Sequence, residues 1–257
     1  TCAAGAGGSG GWKGGCFEDL EIGFCDIAEV KATAGNVFSK VEEALKEGRP
    51  LLVRGAVGDH DWKGLMGNWT REGMESAFGN EKFKVFRQSG EVKESLTMRM
   101  TGYLKGMASH NASGDKPPDW LVDFELGPGH SLIDSHNTIA KRYVGSLLYE
   151  TEHNRVNNYQ FMVAPARAGA PPHFHYTSAR LMVYGRARWF LWPPSYAFYT
   201  GLSVAEWLKT DYPSLSGKER PFECVQRAGD LMIVPSMWGH GVLYLEDTAG
   251  MATLFMA

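Results

Sequence analysis

The last hundred residues constrain this chain most. Short apolar segments at 159–164, 173–184, 187–192, 222–226, 231–234, 241–245 and 252–256 follow one another, and glycine, proline or polar residues part them. Strands at that spacing cannot bury their apolar sides singly, and the pattern is that of a sandwich or barrel. One helix interrupts the series. Ser203-Val204-Ala205-Glu206 forms a capping box, and Trp207 and Leu208 supply the apolar face behind it.

The first half reads differently. Val37, Phe38, Val41, Ala44 and Leu45 recur at three- and four-residue spacing before Gly48, which predicts a helix. Pro50 leads into a strand at 51–53, Thr70 caps a helix through Phe78, and 82–86 alternates as a strand does. Further helices are expected around 103–107 and 132–143. The expected fold is mainly β with flanking helices (α+β), a double-stranded β-helix or jelly roll. Residues 1–20 form a glycine-rich arm, read as a flexible terminus that docks, if at all, through Trp12. Residues 21–257 form one domain, with a helical half at 21–158 and the jelly-roll core at 159–257.

With 26 basic and 29 acidic residues the chain carries a net charge of −3, which offers no footprint for nucleic acid. No run approaches the roughly 20 apolar residues that a membrane-spanning helix needs. Walker loops, dinucleotide fingerprints and the G-x-S-x-G elbow are absent from the sequence. Cysteines stand at 2, 16, 25 and 224, none in a C-x-x-C pair. Cys2 with Cys16, Cys25 with Cys224, and four reduced thiols all stay open. The sequons at Asn68 and Asn111, with a start at Thr1 that reads as a processed product, place the expectation in the secretory pathway, the endoplasmic reticulum lumen or another luminal compartment.

Eight histidines are present. His60, His110, His130, His136 and His153 read as surface or satisfied core residues, with Asp134 and His136 forming a D-x-H on a helix surface. His173 and His175 differ. Within one strand, H-x-H turns both rings to the same face, where a bound metal would offset the cost of burying them. His240 follows the apolar run 231–235, and a returning strand carries it back toward the pair. His173, His175 and His240 are the candidate metal ligands.

His173-Phe174-His175, the strand Tyr184-Gly185-Arg186-Ala187-Arg188-Trp189-Phe190-Leu191-Trp192-Pro193-Pro194, and Gly229-Asp230 through Trp238 and His240 resemble the jumonji-C (JmjC) cupin-like domain. The similarity is greatest to its luminal branch, dense over 159–256 and loose over 20–158. It implies a double-stranded β-helix and Fe(II)- and 2-oxoglutarate-dependent hydroxylation or demethylation. Two departures qualify this. The family holds its metal with His-x-Asp/Glu…His, and here His175 takes the carboxylate position. Three neutral imidazoles leave a divalent ion at +2, a set suited to Fe(II) or zinc. The family's 2-oxoglutarate lysine falls at Ala187, and Arg186 and Arg188 project to the opposite face. On the histidine strand the inward series continues as Thr177, Ala179 and Leu181, with Arg180 pointing outward. A carboxylate there lacks a charge-assisted bond of roughly 1.5–3 kcal/mol, so 2-oxoglutarate is expected to be poorly held.

Tyr159, Thr177, Ala187, Trp189 and Trp238 are the expected pocket residues. Three readings follow: a luminal metal-dependent oxygenase with a protein or small-molecule substrate, a non-catalytic relative retained as a protein-binding or structural subunit, and a three-histidine enzyme such as a thiol dioxygenase.

Overall fold

A computed structural model of the chain describes residues 10–15, 17, 20–89, 92–109, 118–127, 129–148 and 156–255. In order along the chain the elements are β1 (Ala28–Lys31), α1 (Val37–Lys46), β2 (Leu51–Arg54), α2 (Asp59–Gly64), α3 (Arg71–Phe78), β3 (Lys82–Ser89), β4 (Val92–Arg99), α4 (Met100–Ala108), β5 (Trp120–Asp123) and α5 (Ser131–Leu148). There follow β6 (Val156–Ala164), β7 (Gly169–His173), β8 (Thr177–Tyr184), β9 (Arg186–Trp192), α6 (Val204–Thr210), β10 (Phe222–Arg227), β11 (Leu231–Val234), β12 (Gly239–Tyr244) and β13 (Thr248–Phe255).

The strands form two sheets, as a jelly roll requires. The larger runs β1-β2-β11-β8-β13-β6-β5-β3-β4 and the smaller β10-β9-β12-β7. Alternation along each strand sorts side chains into separate apolar layers. Leu52, Met182, Met232 and Val234 of the large sheet meet Trp189, Val242 and Tyr244 of the small one in the space between them. On the large sheet's other face, Leu51, Val53, Leu181 and Ile233 pack with Val41 of α1, Met74 of α3, Leu104 of α4 and Ile139 of α5. Behind the small sheet, Phe190, Trp192 and Leu243 bury Trp207 of α6. Each such large side chain contributes about 1.5–3 kcal/mol when fully buried.

Helix starts follow their capping residues. Thr70 Oγ1 accepts from the Gly73 N–H at 2.9 Å, and Ser203 Oγ accepts from the Glu206 N–H at 3.2 Å while the Glu206 carboxylate reaches back to the Ser203 N–H at 3.0 Å. Gly185 alone joins β8 to β9 and carries the chain from one sheet to the other. Its φ of +88° suits glycine, and a Cβ there would lie 2.4 Å from the Asp247 carbonyl.

Two expectations change here. Besides the strands expected at 51–53 and 82–86, the first half holds β1, β4 and β5, so β1 to β5 supply five of the nine strands of the large sheet. Residues 10–15 of the arm are docked. Trp12 is buried, its Nε1–H donates to the Trp69 carbonyl at 2.9 Å, and the backbones of Lys13 and Asp247 are joined at 3.0 Å. One indole supplies enough apolar area to fix a glycine-rich segment that has little other means of ordering.

Cys25, just before β1, is disulfide-bonded to Cys224 on β10, with the Cα atoms 4.1 Å apart and a sequence separation of 199. Beside it the Asp26 N–H donates to the Glu223 carbonyl at 2.8 Å, so the covalent link continues a hydrogen-bonded edge. Cys2 and Cys16 lie outside the described residues. Asp230, of the Gly229-Asp230 motif, has a structural role. It pairs with Arg54 of β2 at 2.7 Å and accepts from the backbone N–H groups of Gly55 and Arg227, which ties β2, β10 and β11 together.

Candidate metal centre

The three histidines converge by a route the alternation argument does not contain. β7 stops at His173 and β8 begins at Thr177, so His175 sits in the connection between strands, not in line with His173. Pro171 and Pro172 lie on β7, an edge strand, where proline costs no ladder bond on the open side. Across the sheet His173 stands opposite His240 of β12. The connection is held by the Met237 N–H, which donates to the His175 carbonyl at 2.9 Å. Ring centroids are 4.2 Å apart for His173 and His240, 4.6 Å for His175 and His240, and 5.3 Å for His173 and His175.

Each ring is oriented by a backbone carbonyl. Nδ1 of His173 faces the Pro171 carbonyl at 2.7 Å, Nδ1 of His175 the Tyr176 carbonyl at 2.7 Å, and Nδ1 of His240 the Trp238 carbonyl at 3.0 Å. A carbonyl only accepts, so Nδ1 carries the proton in all three and Nε2 keeps its lone pair. The Nε2 atoms of His175 and His240 then oppose each other at 3.2 Å, two acceptors with no hydrogen between them. A shared cation removes that repulsion. Two nitrogens bound to one ion at 2.0–2.1 Å stand about 3.0–3.4 Å apart, and the observed pair fits. One ligand atom from each ring lies within 4.8 Å of the others. The three side chains are thus a set that could hold a divalent metal, with outer carbonyls fixing the tautomers as metal-bound histidines require.

Burial favours the neutral form of His240 and His175. Desolvation pushes His240 well below the ordinary histidine range, and charge on His173 and His175 depresses it further. Desolvation also lowers His175, against the opposing effect of the Tyr176 carbonyl. A ligating imidazole must be deprotonated, so both shifts favour metal binding at neutral pH.

The histidines open onto a cavity of about 100 Å³ between the sheets. Of the expected pocket residues, Trp189 lines it. Tyr159 lies on the opposite face of β6, where its hydroxyl accepts from Asn137 of α5 at 2.8 Å. Thr177 Oγ1 accepts from the Ser236 N–H at 3.1 Å, and Trp238 Nε1–H donates to the Gly48 carbonyl at 2.7 Å; neither lines the cavity. Ala187 is fully buried between its strand partners Tyr244 and Gln226, apart from the lining. Arg186 and Arg188 do face away, paired with Glu21 and Glu223.

Arg180 corrects the reading most. Because the chain turns between His173 and Thr177, strand parity restarts on β8. Ala179, Leu181 and Val183 face the helices, while Ser178 and Arg180 line the cavity. Sequence reasoning also missed Gln160 and Tyr244 in the lining.

His136 is not on the surface but fully buried against Thr253 of β13, with Nε2 2.6 Å from the hydroxyl, whereas Asp134 is exposed. Desolvation lowers its pKa to about 3. The unfolded chain, near 6.5, therefore binds the proton first, and stability that is complete above pH 6.5 falls as pH drops toward 3. We expect His136 to account for about 2 kcal/mol of lost stability by pH 5. Denaturant unfolding of wild type and His136→Gln at pH 7 and pH 5 checks this; equal losses in both proteins would contradict it.

Cys25, Glu29 and Cys224 also cluster, but both sulfurs are in the disulfide and offer no thiolate. Asn68 is exposed, and Asn111 lies outside the described residues. Among the described residues no helix is long and apolar enough to cross a membrane.

No protein-family model matches the chain. It is 37% identical to JmjC domain-containing protein 8 of Rattus norvegicus over 257 residues, covering 96% of this chain and 90% of the relative. It is 24% identical to JmjC domain-containing protein 8 of Mus musculus over 257 residues, covering 96% and 90%. Lysine-specific demethylase JMJ21 of Arabidopsis thaliana is 25% identical over 239 residues, covering 85% of this chain and 24% of that protein.

Proposed function

Because the chain belongs to the JmjC family, in the branch of JmjC domain-containing protein 8, we propose that it is a metal-dependent oxygenase of an oxidising secretory compartment, acting on a protein or small-molecule substrate. One observation carries the reading. Three imidazoles from β7, the following connection and β12 are locked with Nδ1 protonated and turn their Nε2 lone pairs toward a common point. Fe(II) at that point would supply oxygen activation, with zinc as the competing occupant of an all-nitrogen set. The protein's own contribution is to favour neutral His175 and His240, fix the direction of the rings, and keep the adjoining space between apolar walls such as Val122, Met162 and Val242. No carboxylate belongs to the set, so a bound divalent ion retains its full charge and favours anionic partners.

The Cys25–Cys224 disulfide supports that compartment, since such bonds persist in secreted and luminal proteins. Exposed Asn68, in a sequon, accords with that.

Ala187 favours a second reading, a non-catalytic relative acting as a protein-binding subunit. Its methyl group is packed where the resemblance calls for a cation on 2-oxoglutarate. Oxygen uptake by iron-loaded protein with 2-oxoglutarate separates the two. The oxygenase reading expects iron-dependent consumption that His173→Ala abolishes. Consumption no greater than that of His173→Ala would overturn it in favour of the binding subunit.

A further inference from the structure

Between β7 and β8 the chain passes through Phe174, His175 and Tyr176 without a strand to hold it. A segment outside a ladder must find other partners for its backbone carbonyls. The His173 ring takes the Pro171 carbonyl and the His175 ring takes the Tyr176 carbonyl. Three further carbonyls are held from outside the segment. The Thr200 N–H donates to the Pro172 carbonyl at 3.3 Å, the Tyr199 hydroxyl to the Phe174 carbonyl at 2.8 Å, and the Met237 N–H to the His175 carbonyl at 2.9 Å. The Tyr199 ring also lies against Phe174, with centroids 4.4 Å apart.

The loop that carries Tyr199 is itself anchored on two sides. Phe198 packs on Trp192 with centroids 5.1 Å apart, and Ala197 abuts Gly239, where a Cβ would lie 2.9 Å from the Ala197 Cα. It is thereby fixed to the start of β12, the strand that carries His240. Met237, just before that strand, has a φ of +66°, a left-handed conformation uncommon outside glycine that persists where its surroundings determine it. Tyr199 is 64% exposed, so it adds little to the core, yet its hydroxyl is turned to the peptide that enters His175.

We propose that Tyr199 is a positioning residue for the metal centre. Together with the Met237 backbone it clamps the 174–176 connection, so that Nε2 of His175 meets those of His173 and His240. Without the hydroxyl the connection keeps fewer ties, His175 spends part of its time out of place, and apparent metal affinity falls by the fraction of competent protein lost. The inference rests on the three histidines holding a metal, as proposed above, and adds an exposed side chain outside the set on which the third ligand depends.

The test titrates Co(II) into the full chain in competition with a chromophoric chelator, for wild type, Tyr199→Phe, Tyr199→Ala and Tyr196→Phe. The visible spectrum of bound Co(II) and the melting temperature of each metal-free protein are recorded alongside. Tyr196 lies on the same loop, is also exposed, and makes no side-chain hydrogen bond among the described residues, so it is the matching control. Loss of one hydrogen bond of ordinary strength should weaken Co(II) binding about three- to tenfold in Tyr199→Phe, with a further loss in Tyr199→Ala and none in Tyr196→Phe. The Tyr199→Phe spectrum should change as His175 leaves the shell, while the metal-free proteins melt within about 2 °C of one another, as exposed substitutions do. A merely structural role would instead lower the melting temperature and leave affinity and spectrum alone. Wild type that binds no Co(II) would overturn the metal centre and the clamp with it. Wild type that binds Co(II), with Tyr199→Phe equal to it in affinity and spectrum, would overturn the clamp and leave the metal centre standing.

Discussion

His240→Ala lowers zinc or Fe(II) affinity by more than about 100-fold, because removing only an outer partner of a metal-bound histidine costs 10- to 100-fold. The loss should be large for two reasons. His240 is the ring common to the two closer pairs, with centroids 4.2 Å from His173 and 4.6 Å from His175. It is also the most buried of the three, and desolvation pushes it well below the ordinary histidine range. Competition with a chromophoric chelator measures the affinity. His130→Ala, at a ring that faces Glu81 at 3.4 Å, is the matching control and should leave affinity unchanged. An equal effect of the two substitutions, or none, would contradict the assignment.

Removing the Cys25–Cys224 bond should produce the largest change in stability. For a sequence separation of 199 the loop-closure relation gives about 5 kcal/mol. At roughly 2–4 °C per kcal/mol for a chain of this size, the Cys25→Ser/Cys224→Ser double variant should melt about 10 °C or more below wild type. The bond fastens the segment before β1 to β10, joining the edge of one sheet to the edge of the other. Scanning calorimetry at neutral pH checks it, and a melting point within 2 °C of wild type, as an order-of-magnitude margin, would refute it.

Much of the barrel was legible because its strands carry their own punctuation. The segment 231–234 and the Thr70 and Ser203 helix starts lie where the residue types place them. β7 was hidden because Gly169-Ala170-Pro171-Pro172-His173 reads as a turn; only its edge position lets it pair. α2, with the composition DHDWKG, is too short and polar to show a period. The histidines were legible as a set, but not the turn that brings His175 in. The same turn reversed the parity of β8 and hid Arg180, so a single irregular connection accounts for the main error at the site. His136 was misplaced because its neighbours Asp134 and Thr138 are exposed while its own face packs on β13.

X-ray absorption at the metal edge of zinc-loaded protein, compared with His173→Ala, addresses the central claim most directly. The account predicts one equivalent of zinc with three imidazole nitrogens at about 2.0–2.1 Å, and loss of that shell in the variant. A first shell containing sulfur, or a spectrum and stoichiometry indifferent to His173, would contradict it.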